Sequence, residues 1–204
     1  RIMIEIFSHR IIFNGIENSV ESIPYYKKLG IGIELDLRYN NNQVYISHDP
    51  TNKGKLFEEV CKQCDKSEIR MALHIKEKEV INPVIKILKE YSIKNYFLFD
   101  TENFEYNNLI DKTKIADYVV KKDQNIMGEI LWCDEIQNKW YSKEIMKNLH
   151  QENKLIYAMS LEVMKKCDNE SIYLEWDRLI NLGVDGICTK YPEKLMKFVK
   201  GDLN

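Results

Sequence analysis

The chain has 204 residues, 44% of them hydrophobic, which suffices for one sizeable core but not comfortably for two, so we expect a single domain over residues 1–204. A formal net charge of −2 without a concentrated basic block argues against nucleic acid or an anionic membrane surface as the main partner. No apolar run approaches the roughly 20 residues of a spanning helix, and no signal peptide is visible. We therefore expect a cytoplasmic protein without stable membrane insertion.

Runs of apolar and β-branched residues alternate with helical patterns along the whole chain. The runs predicted as strands span 2–8, 31–39, 70–76, 96–100, 115–120, 129–135, 155–160 and 184–189, with a short hairpin return over 43–47. The segments with helical spacing span 19–29, 56–64, 80–91, 104–110, 143–152 and 172–182, and a last helix opens at Pro192.

Eight strands that alternate with helices predict an α/β fold in which a parallel sheet closes as a (β/α)₈ TIM barrel. A doubly wound open sheet is the runner-up. Because 204 residues fall below the roughly 250 typical of the barrel, we expect short loops and one reduced helix. Residues 121–128 are predicted to join the fifth and sixth strands without a full helix.

The cysteines are odd in number and scattered, which favours reduced thiols over a disulfide framework. Cys61 and Cys64 form a lone CxxC inside a predicted helix, without a second pair or a nearby histidine to complete a tetrahedral zinc site. We interpret this pair as part of the helix packing.

The second predicted strand carries charge on one face. Glu34, Asp36 and Arg38 alternate with three aliphatic residues, so the charged side chains share one side. Burying a charged side chain costs several kcal/mol unless the charge is paired or binds a metal. His74 and Lys76 on the third strand have the same parity, so both strands direct polar groups into one lumen.

Ionisable residues also end the other strands, as expected for chemistry at the carboxyl ends of a barrel. His9 and Arg10 follow the first strand, Asp100 ends the fourth, and Asp134 ends the sixth. Trp132 shares a strand face with Asp134, so we expect it to form a pocket wall or to stack on a substrate.

Four short motifs occur in a specific order: His9-Arg10, Glu17-Asn18-Ser19, Glu34-Leu35-Asp36 and His48-Asp49. This order resembles the glycerophosphodiester phosphodiesterase family, whose pattern is HRG, PENT, ExD and HD. Residues 183–192 resemble the last strand of that family, usually GVDGIITDYP, so the resemblance covers the whole chain. It implies a TIM barrel of metal-dependent phosphodiesterases.

The resemblance also implies roles for individual residues. The matching residues are the catalytic pair His9 and His48, the metal ligands Glu34 and Asp36, the phosphate-binding Arg10 and Lys76, and the supporting acid Glu17. The family's third acidic ligand corresponds to His74 in this chain. The third ligand is therefore either His74 or Asp100 on the next strand.

Other positions depart from the pattern. Ile11 replaces a glycine that permits unusual backbone angles, and Ile16 replaces the proline of PENT. Only about twenty residues separate Asp49 from the third strand, so the chain resembles the compact, insertion-free branches, among which are the sphingomyelinase D-like enzymes.

The resemblance, together with the chemistry of these residues, implies a metal-dependent phosphodiesterase acting on a glycerophosphodiester or a related alcohol or sugar phosphodiester. Oxygen ligands suggest one divalent ion, Mg²⁺ or Ca²⁺. His9 is expected to act as the base and His48 as the acid. The attacking group is water or a neighbouring substrate hydroxyl, which would give a cyclic phosphate. The alternatives are a lysophospholipase D-like activity on lipids and a non-catalytic barrel that binds a phosphorylated ligand.

Overall fold

The computed structural model describes residues 4–64, 68–101 and 111–202. The strands are β1 Glu5–Ser8, β2 Gly32–Asn40, β3 Gln43–Ile46, β4 Lys55–Leu56, β5 Met71–Ile75, β6 Tyr96–Phe99, β7 Ala116–Val119, β8 Ile130–Cys133, β9 Leu155–Met159 and β10 Gly186–Thr189. The α-helices are α1 Ile23–Leu29, α2 Phe57–Cys64, α3 Ile81–Glu90, α4 Lys143–Gln151, α5 Leu161–Met164, α6 Asn169–Leu182 and α7 Pro192–Lys200.

Parallel pairing joins eight of these strands into a ring. β1 pairs with β2 on one side and with β10 on the other. The ring continues from β2 through β5 to β6, and from β10 through β9 and β8 to β7. A parallel bridge between Leu98 and Ile115 joins the β6 and β7 edges. The predicted (β/α)₈ barrel is confirmed, and the open doubly wound sheet is not adopted.

The connections explain how 204 residues form the barrel. No helix lies between β7 and β8, where residues 120–129 form turns, bends and irregular chain, so the reduced connection predicted there is confirmed. The helix predicted over 104–110 lies outside the described residues. β2 continues into an antiparallel hairpin with β3 through Asn41 and Asn42, whose φ values of 48° and 61° suit a two-residue hairpin turn.

Aromatic side chains fill the barrel interior. Phe7, Phe97, Phe99, Trp132 and Tyr157 pack together there, each no more than 2% exposed. The aliphatic residues that alternate with the charged side chains of β2 face outward into the larger core between the strands and the helices. The predicted parity of β2 and β5 is therefore confirmed.

An ion pair closes the amino-terminal end of this interior. The Arg70 guanidinium lies over the rings of Phe97 and Tyr157 and donates a hydrogen bond of 3.1 Å to Glu5. Tyr157 also donates to the Glu5 carboxylate, at 2.8 Å. Packing thus fills the lower barrel, and the remaining polar groups lie at the carboxyl ends of the strands.

The thiols are reduced and differ sharply in accessibility. Cys61, Cys64, Cys133 and Cys188 are at most 1% exposed, whereas Cys167 is only half-buried. Burial raises the pKa of the Cys64 thiol to about 12, so the thiolate that reacts with disulfide reagents or binds zinc is scarce. We expect Ellman's reagent to titrate one thiol per native chain and all five after denaturation. Cys167→Ser should abolish the native reaction; two or more fast native thiols would contradict this packing.

Candidate active site

The pairing of β2 with β5 places two acids beside an imidazole. Glu34 and Asp36 are each 3% exposed, and Asp36 lies directly opposite His74 in the strand register. His74 Nδ1 is 2.9 Å from Asp36 Oδ1, and its Nε2 is 2.8 Å from Asp100 Oδ2 at the end of β6. Three neighbouring strands therefore supply one connected group of ionisable side chains.

The turn after β1 brings two further predicted residues to the same carboxylates. His9 Nε2 lies 3.8 Å from Glu34 Oε2, and the Arg10 backbone N–H donates a 3.0 Å hydrogen bond to that oxygen. Arg10 Nε lies 3.2 Å from Asp36 Oδ2. The structure thus places His9 and Arg10 against the ExD motif of β2.

Glu17 holds the Arg10 side chain from the other side. Both Glu17 carboxylate oxygens lie 3.2 Å from Arg10 Nη1, and the Asn18 backbone N–H donates to the Arg10 carbonyl at 2.7 Å. A planar guanidinium held by two carboxylates has little rotational freedom left. Arg10 is consequently oriented before any ligand arrives.

The β2–β3 hairpin delivers His48 to the rim of this group. The Ser47 backbone N–H donates to the Asp36 carbonyl at 3.1 Å, and Arg38 donates two hydrogen bonds to the His48 carbonyl, at 3.0 Å and 2.6 Å. The His48 imidazole is 45% exposed, and its Nδ1 lies 3.1 Å from Asp49 Oδ1. Of the two predicted catalytic histidines, one is therefore buried and the other open to solvent.

The turn that carries His9 has a strained backbone. Arg10 and Ile11 adopt φ values of 51° and 46°, in the left-handed region where a β-branched residue is a genuine outlier. Such strain costs on the order of 1–3 kcal/mol per residue. The Ile11 side chain is fully buried in the outer core, and this packing offsets part of the backbone strain. The turn is retained at an energetic cost, as is common at functional sites.

The acids titrate in opposite directions. Burial and the neighbouring Asp36 carboxylate raise the pKa of Glu34 to about 8. Burial also acts to raise the pKa of Asp36, but the hydrogen bond and charge of His74 outweigh it and lower that pKa to about 2. Lys76 Nζ, 3.7 Å from Asp36 Oδ1, and the Arg10 guanidinium act in the same direction. Asp36 is thus the fixed negative charge on which three cationic side chains converge.

The buried histidines also diverge. Burial and the Arg10 charge lower the pKa of His9 to about 3, so its imidazole is neutral at neutral pH. Burial acts to lower the pKa of His74 too, but its hydrogen bonds to Asp100 and Asp36 outweigh this and raise it. His9 Nδ1 is buried without a hydrogen-bond partner among the described residues. Such an atom is available to a ligand.

Glu34, Asp36 and His74 could hold a metal ion. Their donor atoms lie within 4.8 Å of one another, close to the separation across an ion whose bonds are roughly 2.0–2.6 Å long. Asp100 lies within hydrogen-bond distance of Nε2, the second ring nitrogen of His74. Carboxylates commonly orient a metal-bound imidazole from this position. The donor set fits a small divalent cation, with Asp100 placed behind His74.

Replacing Asp100 tests whether this residue binds the ion itself or only orients His74. If Asp100 only orients His74, Asp100→Asn should weaken divalent-ion binding by about 10–100-fold and leave the site loadable at higher metal concentration. Isothermal titration calorimetry with the variant and the parent measures this ratio. Complete loss of binding would make Asp100 itself a ligand.

Trp132 lies deeper than the ionisable groups. It is 2% exposed and stacks on Phe99 with ring centroids 4.7 Å apart, and Phe99 in turn stacks on His74 at 4.6 Å. The structure thus places it in the floor beneath His74. The contact of Trp132 with a substrate stays a prediction.

Two residues near the site were not singled out from the sequence. Lys190 follows β10, and Glu162 in α5 is 7% exposed and accepts a 3.0 Å hydrogen bond from the Lys190 backbone N–H. Lys190 obeys the strand-end rule that identified the other site residues, so the pattern contained a signal. No sequence pattern indicated that Glu162 is buried, because an acid in a short helix usually faces solvent.

No family model matches this sequence, and no curated protein matches it. Solved structures do resemble the fold. A glycerophosphodiester phosphodiesterase from Parabacteroides distasonis has a TM-score of 0.68 at 14% identity, with 97% of each chain covered. A phosphodiesterase from Oleispira antarctica, in complex with the product sn-glycerol-3-phosphate, has a TM-score of 0.67 at 15% identity, with 96% of each chain covered.

A second Parabacteroides distasonis protein, a glycerophosphoryl diester phosphodiesterase, has a TM-score of 0.65 at 14% identity and covers 99% of this chain and 88% of its own. The chain therefore has the TIM-barrel fold of the glycerophosphodiester phosphodiesterases. None of the described helices combines the length and the apolar character needed to cross a bilayer.

Proposed function

We propose that this protein is a metal-dependent phosphodiesterase that hydrolyses a glycerophosphodiester or a related alcohol or sugar phosphodiester. The observation that carries the proposal is the convergence of His9, Arg10 and His74 on the Glu34 and Asp36 carboxylates, at the carboxyl ends of three adjacent strands. In this fold, the carboxyl ends of the strands are where active sites lie. The likeness to solved phosphodiesterases supports the same assignment.

The cationic side chains suit a phosphodiester. A diester carries one negative charge, and charge grows on its oxygens as the leaving alkoxide departs. Arg10 and Lys76 both contact Asp36, so they flank the proposed ion site, where they would bind the phosphate of the substrate. Arg10 is fixed there by Glu17 and therefore needs little reorganisation.

The two histidines suit opposite proton-transfer roles. His9 is neutral and buried, so it can accept the proton of the attacking water or hydroxyl. A bound phosphate anion would offset the Arg10 charge that depresses the pKa of His9, making it a stronger base when substrate is present. His48 is exposed at the rim beside Asp49, where it can protonate the leaving alcohol.

A divalent ion bound by Glu34, Asp36 and His74 would polarise the phosphoryl oxygens and lower the pKa of a bound water. Oxygen donors favour the predicted Mg²⁺ or Ca²⁺, and the imidazole adds affinity for Mn²⁺ or Zn²⁺. His74 Nδ1 faces Asp36 and would have to be free of a proton to bind an ion beside it, while Nε2 faces Asp100.

A diester panel tests the proposal. The protein is stripped with a chelator and resupplied with Mg²⁺, Ca²⁺, Mn²⁺ or Zn²⁺, and release of a phosphomonoester is measured from glycerophosphodiesters, sugar phosphodiesters and lysophospholipids. We expect metal-stimulated hydrolysis of the water-soluble diesters that His48→Ala lowers strongly. Turnover of lysophospholipids alone would support the lipid-directed alternative. No turnover with any ion would overturn the enzyme assignment and leave a phosphate-binding barrel.

A further inference from the structure

A second cleft, about 320 Å³ in volume, opens beside the candidate active site. It is lined by residues 162–167, which follow β9, and by Lys190 and Tyr191, which follow β10. Both segments start at the carboxyl ends of barrel strands, so the cleft lies on the same face as His9. Because Ser8 pairs with Thr189, Lys190 emerges next to His9.

Three lysines give this cleft a positive charge. Lys165, Lys166 and Lys190 line it, and none of their ammonium groups lies within 4.0 Å of a carboxylate in the described parts of the chain. We call this group the lysine cleft. Like charges that share one small cleft repel each other, and a bound anion removes that repulsion.

The acid in the cleft, Glu162, already accepts hydrogen bonds from neighbouring groups of the protein. Glu162 is the one acid among its described lining residues, and its carboxylate accepts hydrogen bonds from the hydroxyls of Ser160 and Thr189. The Lys190 backbone N–H is a further donor, and Trp176 Nε1 donates to Ser160 Oγ at 2.8 Å. Glu162 therefore holds the start of the Lys190 segment in place and forms no ion pair with the three lysines, so the described lining keeps a net positive charge.

We propose that the lysine cleft binds a second anionic group, a carboxylate, carried by one of the alcohols of the phosphodiester substrate. The inference rests on the proposed phosphodiesterase function and specifies its substrate class. Lys190 directly follows Thr189, which pairs with Ser8 beside His9, so one small molecule can reach both places. A volume near 320 Å³ suits a small anionic group.

The test compares two diesters that differ by one carboxylate, glycerophosphoserine and glycerophosphoethanolamine. We expect kcat/KM to be about five- to tenfold higher for glycerophosphoserine, as two or three solvated ion pairs would give. Lys165→Gln combined with Lys166→Gln should raise KM for glycerophosphoserine by a similar factor and leave the kinetics of glycerophosphoethanolamine unchanged. Added salt should reduce the preference.

The matched control is Lys86→Gln combined with Lys89→Gln on α3, which removes the same charge away from the cleft and should leave the preference intact. Equal kcat/KM for the two diesters in the parent protein, or equal losses on both in the cleft variant, would overturn the lysine cleft while leaving the phosphodiesterase assignment standing. Failure to hydrolyse either diester with every metal would overturn both.

Discussion

Replacing His9 by alanine should lower kcat for diester hydrolysis by about 10²–10⁴-fold, the usual contribution of a general acid or base. The side chain is buried against Glu34, and its Nδ1 has no protein partner among the described residues, so it contributes little to stability through hydrogen bonds. Thermal melting should consequently change little compared with activity. The measurement is steady-state hydrolysis with saturating metal, alongside a melting curve.

His150→Ala is the matched control. His150 is also an imidazole beside a carboxylate, 3.0 Å from Asp185, but Asp185 precedes β10 and so lies at the amino-terminal end of the barrel. Its replacement should leave kcat within about twofold of the parent, since surface substitutions rarely reach beyond their surroundings. Equal loss in both variants, or full activity in His9→Ala, would remove His9 from the chemistry.

Replacing Asp36 by asparagine should abolish high-affinity metal binding and lower activity by at least about 10²-fold, because an ion's charge stabilisation is worth several kcal/mol. Without metal, the same change should destabilise the fold by about 3–5 kcal/mol, the usual cost of breaking a buried ion pair. The reason is that Arg10, His74 and Lys76 all converge on this carboxylate. Calorimetric metal titration and urea unfolding measure the two effects separately.

Asp117→Asn is the matched control, because it removes a carboxylate that does not belong to the candidate ion site. Asp117 accepts two backbone hydrogen bonds of 2.7 Å, from Met127 and Gly128, in the turn before β8. This variant should lose stability yet keep metal affinity and activity per folded molecule. If Asp36→Asn bound metal as tightly as the parent, the assigned ion site would be wrong.

The parity of the second strand was sufficient to predict half of the candidate site. Glu34 and Asp36 point inward because alternate residues of a strand share a face, and the barrel then determines where they meet His74. The pattern could not decide between His74 and Asp100, because that choice depends on side-chain geometry. In the structure the His74 imidazole lies between Asp36 and Asp100, so Asp100 is on the side of the ring that faces away from Asp36.

Other features depended on packing that no local pattern records. Trp132 was correctly placed on the lumen side, but its depth beneath Phe99 follows from how five aromatic rings fill the barrel. The backbone of Ile11 could not be predicted from its residue type, since a β-branched side chain disfavours the left-handed region that it occupies. The lysine cleft combines the segments that follow two neighbouring strands, β9 and β10, and its shape depends on how those segments pack.

The most direct test of the central claim is ³¹P nuclear magnetic resonance of a mixture of glycerophosphoethanolamine and glycerophosphoserine incubated with metal-stripped protein. The diamagnetic ions Mg²⁺, Ca²⁺ and Zn²⁺ are then added in turn. The account predicts that the diester resonances persist without metal, give way to a phosphomonoester resonance with at least one ion, and persist throughout in His9→Ala. Diester resonances that stay unchanged with every ion, or that disappear equally well in the stripped protein, would contradict it.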